Sequence, residues 1–401
     1  MTLLSRLCSL SAVQMRPTRP VASLTIRCAV LLCALTPRFA TAQTFTTLVS
    51  FNGTNGASPL FAPLIEGTDG SLYGTTSAAG AHHQGTVFKV TTQGVLTTLY
   101  SFCAKSKCTD GSAPFSGLAL GKDGNFYGTT ESGGAHGAGT VFKITPRGVL
   151  TTLHSFNITD GANPYAAVVE GKDGNFYGTT ESGGAHLLGT VFKINSKGVV
   201  TTLHSFNSTD GSSPEAALIQ ATDGNFYGTT YNGGSNGYGT VFKITSSGTL
   251  STLHVFNDET EGRAITAGLV QASDGNFYGS TTLGGPNGYG SVFTVTPVGT
   301  LTVLHSFNAI DGATPNALVL GSDSNFYGTT ISGGANGDGT AFEVTPQGAF
   351  TTLHTFNGSD GADSFAGLVQ GTDGIFYGTT RVGGSKNDGT VFSLDVGLGA
   401  F

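Results

Sequence analysis

Beyond residue 42 the chain alternates short apolar runs with clusters of glycine, aspartate, asparagine and proline. No stretch sustains the 3.6-residue apolar spacing of a helix, whereas β-branched and aromatic runs bounded by turn residues are strand signals. One unit shows the grammar. Residues 149–156 (VLTTLHSF) form an apolar run, 157–164 (NITDGANP) carry turn chemistry, and 166–171 (AAVVEG) form a second short run. Residues 172–175 (KDGN) predict a hairpin turn, because Asp-Gly supplies the positive φ that such turns need. Residues 176–180 (FYGTT) and 190–194 (TVFKI) predict two more strands, separated by a glycine-rich loop at 183–189. Pro-x-Gly turns such as 145–148 close the unit.

The unit recurs. Tyr-Gly-Thr-Thr begins at Tyr73, Tyr127, Tyr177, Tyr227, Tyr327 and Tyr377, with Tyr-Gly-Ser-Thr at Tyr278. Successive starts lie 54, 50, 50, 51, 49 and 50 residues apart, and an insertion bearing Cys103 and Cys108 accounts for the long first step. Four short antiparallel strands repeated radially describe a propeller blade. The expected fold is therefore all-β: a seven-bladed β-propeller with four antiparallel strands per blade. Phase adds a detail. The chain opens at residues 46–51 (TTLVSF) on a copy of the TTLHSF strand and ends after 390–394 (TVFSL), the strand before it. The N-terminal strand should thus complete the last blade and close the ring, removing open sheet edges. By analogy with other propellers, the AAVVEG strand should be innermost and the TTLHSF strand outermost. The Asn-x-x-Asp-Gly and glycine-rich loops then share one face, expected to be the working face because its loops are longer.

The stretch 123–157 (DGNFYGTTESGGAHGAGTVFKITPRGVLTTLHSFN) resembles the GloVer (Gloeo/Verruco-type) tandem-repeat family of exported bacterial proteins. The resemblance covers residues 44–396 and rests on the Tyr-Gly-Thr-Thr block, the Gly-Gly pair and Gly-Thr-Val-Phe. It implies a propeller-like fold outside the cytoplasm and no assigned activity.

Composition narrows the class. Glycine accounts for 62 of 401 residues and charged residues for only 11%, with 27 Phe, 12 Tyr and no Trp. The aromatics exclude disorder and the scarcity of charge excludes a coiled coil. Residues 1–42 hold five arginines and no acid, which leaves a net charge of −12 on the remainder. An acidic body argues against nucleic-acid binding, which needs a basic stripe. Arg16, Arg19 and Arg27, the apolar run 28–35 and Ala-Thr-Ala at 40–42 follow the order of a secretory signal peptide. That run is too short to span a bilayer. Met15 is an alternative start. The expected organisation is a signal peptide over 1–42 and a single propeller domain over 43–401, secreted, periplasmic or on the cell surface, with no membrane span and as a monomer. Cys103 and Cys108 are the only cysteines beyond residue 42, and a local disulfide suits an exported protein.

Positions that recur in every unit are best explained by packing. His154, His204, His254, His305 and His354 fall in different blades and cannot converge on a metal. Asp110, Asp160, Asp210, Asp311 and Asp360 precede glycine in turns, where a carboxylate accepts local N–H groups. The glycine-rich loops precede strands, so they lack the helix N-terminus of a phosphate cradle. Positions that vary on the working face are the better candidates for chemistry. Before the inner strand stand Phe115, Tyr165, Glu215, Thr266, Asn316 and Phe365; after the Tyr-Gly-Thr-Thr strand stand Glu131, Glu181, Tyr231, Ile331 and Arg381. These rings should surround the channel mouth, where aromatics beside Glu, Asn and Arg suit a saccharide. Unconstrained surface is the plainer explanation of the variation. His136 and His186, paired in sequence with Glu131 and Glu181, are weak metal candidates that a duplicated ESGGAH segment explains as well. The Asp258–Arg263 segment departs from the pattern as a charged rim, for which a solvated loop is the plainer reading. No cofactor is expected. The leading expectation is an extracytoplasmic binding or structural module for polysaccharide or a cell-surface protein; the alternative is a propeller lyase, hydrolase or lactonase with acidic residues at the channel mouth.

Overall fold

A computed structural model describes residues 43–401; the leader assigned to 1–42 lies outside the described residues. Seven antiparallel sheets follow one another; six carry four consecutive strands in order from the axis outward, and the seventh takes its outermost strand from the N-terminus. In the third blade these are Val169–Glu170, Phe176–Thr180, Thr190–Ile194 and Val200–Ser205. The sixth sheet gains a fifth strand, Ala313–Pro315, from its entry loop. A 3-10 turn at Ser106–Cys108 is the sole helical element among the described residues. No helix there is long and apolar enough to cross a membrane.

The N-terminal strand Thr44–Ser50 pairs antiparallel with Thr390–Asp395, the last strand of the chain, so both ends share the seventh blade. Two further bonds seal the same seam. On one face the Ser58 N–H donates to the Asp388 carbonyl at 3.0 Å, and on the other the Thr372 N–H donates to Glu66 at 2.8 Å.

Packing between blades follows from the repeat. The tyrosine of each Tyr-Gly-Thr-Thr block stacks on the phenylalanine opening that strand in the next blade, as in Tyr127 on Phe176 and Tyr177 on Phe226, both at 3.9 Å. Its hydroxyl donates to the aspartate of its own hairpin turn, Asp-Gly in six blades and Asp323-Ser324 in the sixth, at 2.7 Å for Tyr177 and Asp173. At the seam the partner is Leu72, and Tyr377 packs there without an aromatic stack. The in-strand glycine exists because the ring beneath it leaves no room: a Cβ on Gly178 would stand 2.7 Å from Phe192 Cζ.

One non-glycine residue per blade, just before the inner strand, takes a left-handed backbone with φ between 52° and 60°: Ser58, Ala113, Asn163, Ser213, Ala264, Thr314 and Asp363. Such residues are costly unless their surroundings fix them. Here the fixing bonds are visible. The Asn163 N–H donates to Ala138 of the preceding blade, and its carbonyl accepts from Glu181, each at 3.0 Å. This bend aims the residues two positions later at the axis.

Candidate functional site: the channel mouth

The recurring outer histidines do not gather. Each reaches instead to the acid of the following loop: His154 to Asp160, His204 to Asp210, His305 to Asp311 and His354 to Asp360, with Nε2 to Oδ2 at 2.9 to 3.1 Å. The same aspartates accept backbone N–H groups, as Asp160 does from Asn157 at 3.0 Å. Blade one substitutes Tyr100, whose hydroxyl donates to Asp110 at 2.7 Å. Beside it the structure joins Cys103 and Cys108 in a disulfide, with Cα atoms 4.0 Å apart.

The inner strands converge on a cavity of about 210 Å³. Its wall is made of small residues, among them Ala167, Ala217, Gly268, Ala317 and Gly367, one from each of five blades. They are small because the strands crowd the axis: a Cβ on Gly117 would stand 2.7 Å from the Pro63 carbonyl. Around this wall the structure brings together Tyr165, Glu215, Thr266, Asn316 and Phe365. Phe115 joins them by stacking on Tyr165, with ring centroids 5.3 Å apart and planes 13° apart.

The mouth has two unlike arcs. Blades two to four supply Glu131, Tyr165, Glu181 and Glu215. The Tyr165 hydroxyl approaches Glu131 Oε1 at 3.5 Å. Burial, and then the charges of Glu131, Glu181 and Glu215, hold its phenol well above the ordinary range. Burial pushes the Glu215 carboxyl up to about 7, with Glu181 adding to the effect. Glu181 is raised by burial and by Glu131; Glu131 is raised by burial, against the pull of the Tyr165 bond. The opposite arc joins blades seven and one. There Arg381 Nη2 donates to Asp363 Oδ2 at 3.0 Å, and its guanidinium lies 5.3 Å from the Phe365 ring centroid. Phe365 meets Phe61 edge-on at 5.4 Å. The buried Arg381 Nε has no hydrogen-bond partner among the described residues.

The remaining candidates are held by the fold or lie apart from the mouth. Asn316 lines the cavity, but its amide donates to the Ser364 carbonyl and to Thr329 Oγ1 and ties blade six to blade seven. Thr266 is bonded to Thr282 at 3.0 Å. Tyr231 lines a separate pocket between blades four and five. His136 and His186 are exposed in their loops, and among the described residues no three His, Cys, Asp or Glu side chains form a group able to hold a metal ion. In the Asp258–Arg263 segment, Glu261 takes the aspartate's role toward His254 at 2.9 Å, and Arg263 Nε pairs with Asp258 at 3.2 Å. Only the Asp258–Arg263 pair is internal to that segment, because Glu261 is engaged by the outer strand's His254.

Sequence reasoning missed Phe61 and Asp363. Blade one carries one extra residue between Gly56 and the inner strand, so Phe61 falls at the mouth position only when counted back from Ile65. Asp363 is visible as the only acid among the seven left-handed residues.

Comparison with known proteins agrees with this architecture. The structure resembles virginiamycin B lyase from Staphylococcus aureus, with 13% identity, TM-score 0.57 and coverage of 88% of this chain and 98% of that one. A catalytically inactive variant of that lyase with quinupristin superposes at TM-score 0.60 and 16% identity, over 88% of this chain and 99% of the other. The extracellular domain of a hybrid two-component system from B. thetaiotaomicron matches at TM-score 0.57 and 15% identity, over 87% of this chain but 41% of that one. At these identities the likeness concerns fold alone. No curated protein matches the sequence. A family model, the Gloeobacter/Verrucomicrobia repeat, matches residues 34–231 and 216–401, and the chain belongs to that repeat family.

Proposed function

We propose that the protein is an exported binding module that takes a carbohydrate at the channel mouth. The observation that carries this reading is the stacked pair Phe115 and Tyr165 set among Glu131, Glu181 and Glu215 on the rim of an apolar cavity. Aromatic faces accept the C–H faces of sugar rings, and carboxylates accept their hydroxyl protons; few precisely placed polar groups on an apolar wall is the usual make-up of a small-ligand site. The leader-like residues 1–42 support export. A surface or secreted polysaccharide is the partner class this chemistry suits.

The test is a thermal-shift screen of the protein against polysaccharides, since a ligand that binds only the folded state raises the melting temperature. A shift with at least one polysaccharide is expected, and it should vanish when Phe115→Ala, Tyr165→Ala and Phe365→Ala are combined. A shift that persists in the triple variant would rule the mouth out.

One observation favours a catalytic alternative. Glu215 is pushed up to about 7 beside Glu181, and carboxyls whose environments separate their proton affinities are what acid–base chemistry on sugars requires. The lyase neighbours do not add to it, because their identity of 13 to 16% speaks for the fold alone. Product release from the bound polysaccharide, abolished by Glu215→Gln with binding retained, distinguishes this alternative from pure binding.

A further inference from the structure

A second pocket, of about 140 Å³, opens between blades four and five and is lined by Tyr231, Asn232, Tyr238, Arg263 and Leu283. Its residues break the repeat. At the bridge position occupied by Arg263, facing Leu283, the other blades hold Ala57, Ser112, Ala162, Ser212, Ala313 and Ala362. Arginine stands at the end of the Asp258–Arg263 segment, where the usual Asn-x-x-Asp-Gly loop is replaced by a charged one. Two bonds fix it: its N–H donates to the Leu283 carbonyl at 2.8 Å, and its Nε pairs with Asp258 at 3.2 Å. Tyr238 stands out by its exposure. The tyrosines of the Tyr-Gly-Thr-Thr blocks are buried, whereas Tyr238 is 37% exposed and Tyr289, its counterpart in the next blade, 44% exposed.

We propose that this pocket is a second saccharide subsite, which receives the sugar unit adjoining the one seated at the channel mouth. The proposal rests on the carbohydrate reading above and adds a place and a direction to it. Tyrosines with free ring area offer stacking faces, while the guanidinium and the Asn232 amide offer donors to ring hydroxyls. The volume is below the roughly 300 Å³ of a drug-sized site and suits a single ring-sized unit. Continuity with the mouth is built into the chain. Ala264 lines the pocket and Thr266 lines the mouth, two residues on. The Tyr231 N–H donates at 3.0 Å to the carbonyl of Ser213, two residues before Glu215. Two extended residues span at most about 7 Å, a step that adjoining units of one oligosaccharide can bridge. An oligosaccharide would therefore run from the acidic arc outward over the blade four and five border.

The experiment is calorimetric titration of the full chain with cello-, xylo- and chito-oligosaccharides of increasing length. Affinity should rise when a unit is added to the shortest ligand that binds. Tyr238→Ala and Arg263→Ala should each remove that gain, lowering long-ligand affinity about tenfold and leaving the shortest ligand unaffected. Tyr238→Phe should keep the gain, because the ring remains. Tyr165→Ala should weaken ligands of every length. Circular dichroism melts of the exposed variants check that the fold is intact. If Tyr238→Ala and Arg263→Ala bind all lengths like the parent, the subsite is overturned and the mouth reading stands. If the mouth variants bind normally while the pocket variants do not, the mouth reading fails and the pocket alone is the site. Absence of binding by every oligosaccharide overturns both.

Discussion

At the outer rim, each blade that places a polar ring at the histidine position sets an acid against it, including Tyr100 against Asp110 in blade one. His154, His204, His305 and His354 face aspartates; His254 faces Glu261, which stands one residue further along. In the closing blade Val49 occupies the histidine position, and the acid gives way to Asn55, which accepts the Asn52 N–H at 3.0 Å. At the mouth, the position two residues after the left-handed bend holds Phe115, Tyr165, Glu215, Thr266, Asn316 or Phe365, with no matching partner pattern. The rim must satisfy half-buried polar groups blade by blade, because an unpaired one costs stability. At the mouth the side-chain bonds differ from blade to blade, Tyr165 to Glu131, Thr266 to Thr282 and Asn316 to Thr329, so no single residue type is demanded there. Uniformity marks what holds the propeller together, and variety marks positions at which the fold does not demand one residue type.

Four measurements break or sharpen this contrast. The largest effect belongs to the rim's closing strand. Deleting residues 43–52 removes the partner of Thr390–Asp395 and the fully buried Phe51, and should cost at least about 5 kcal/mol. Calorimetric melting at the parent's temperature would show that the strand does not hold the ring closed. Next comes an addition inside a blade. Gly178→Ala places a Cβ 2.7 Å from Phe192 and 3.1 Å from Val168 and should cost about 1–3 kcal/mol in denaturant unfolding. Phe115→Ala at the mouth should cost less than Gly178→Ala in the same titration; an equal loss would erase the distinction between the regions.

The third measurement isolates one rim pair. His204→Ala leaves the Asp210 carboxylate, 17% exposed, without its imidazole, and should lower stability by about 1–2 kcal/mol. The fourth and smallest effect is a difference of sign with pH. Glu215 has a folded pKa raised from 4.5 to about 7. The folded protein therefore binds more protons than the unfolded chain in that window, and stability falls as pH rises through it. Glu215→Gln should raise the melting temperature at pH 8 by roughly 1–3 °C and change little at pH 4. At the rim, burial lowers His305 and His354 from 6.5, so the unfolded chain binds more protons and stability is lost as pH falls below that value. His305→Asn should flatten the acid side of the melting profile. Parallel pH responses from Glu215 and His305 would contradict this account.

Much of the fold was legible because the repeat states it seven times. The Asp-Gly turns, the in-strand glycine at Gly128 and the phase of the first and last strands each recur or match at fixed spacing, and periodicity averages away local ambiguity. The candidate site was legible only as a set of varying positions. Reading forward from Gly56 missed Phe61, because one inserted residue shifts the count. Tyr231 shares the mouth position by its place in the repeat, yet it lines the pocket with Tyr238 and Arg263. Repeat phase fixes where a backbone position lies, but not which cavity a long side chain enters.

The sequence by itself determined the strand content, the number of blades and the pairing of the two chain ends, since these follow from spacing and turn chemistry along the chain. Only the tertiary structure decided that histidine and acid six or seven residues apart would pair across the rim, and that Asn316 would donate its amide to the neighbouring blade. It also decided that Glu131, Glu181 and Glu215, fifty and thirty-four residues apart in sequence, would act on one another around Tyr165. Burial and electrostatic coupling depend on distances through space, and those exist only once the ring has closed.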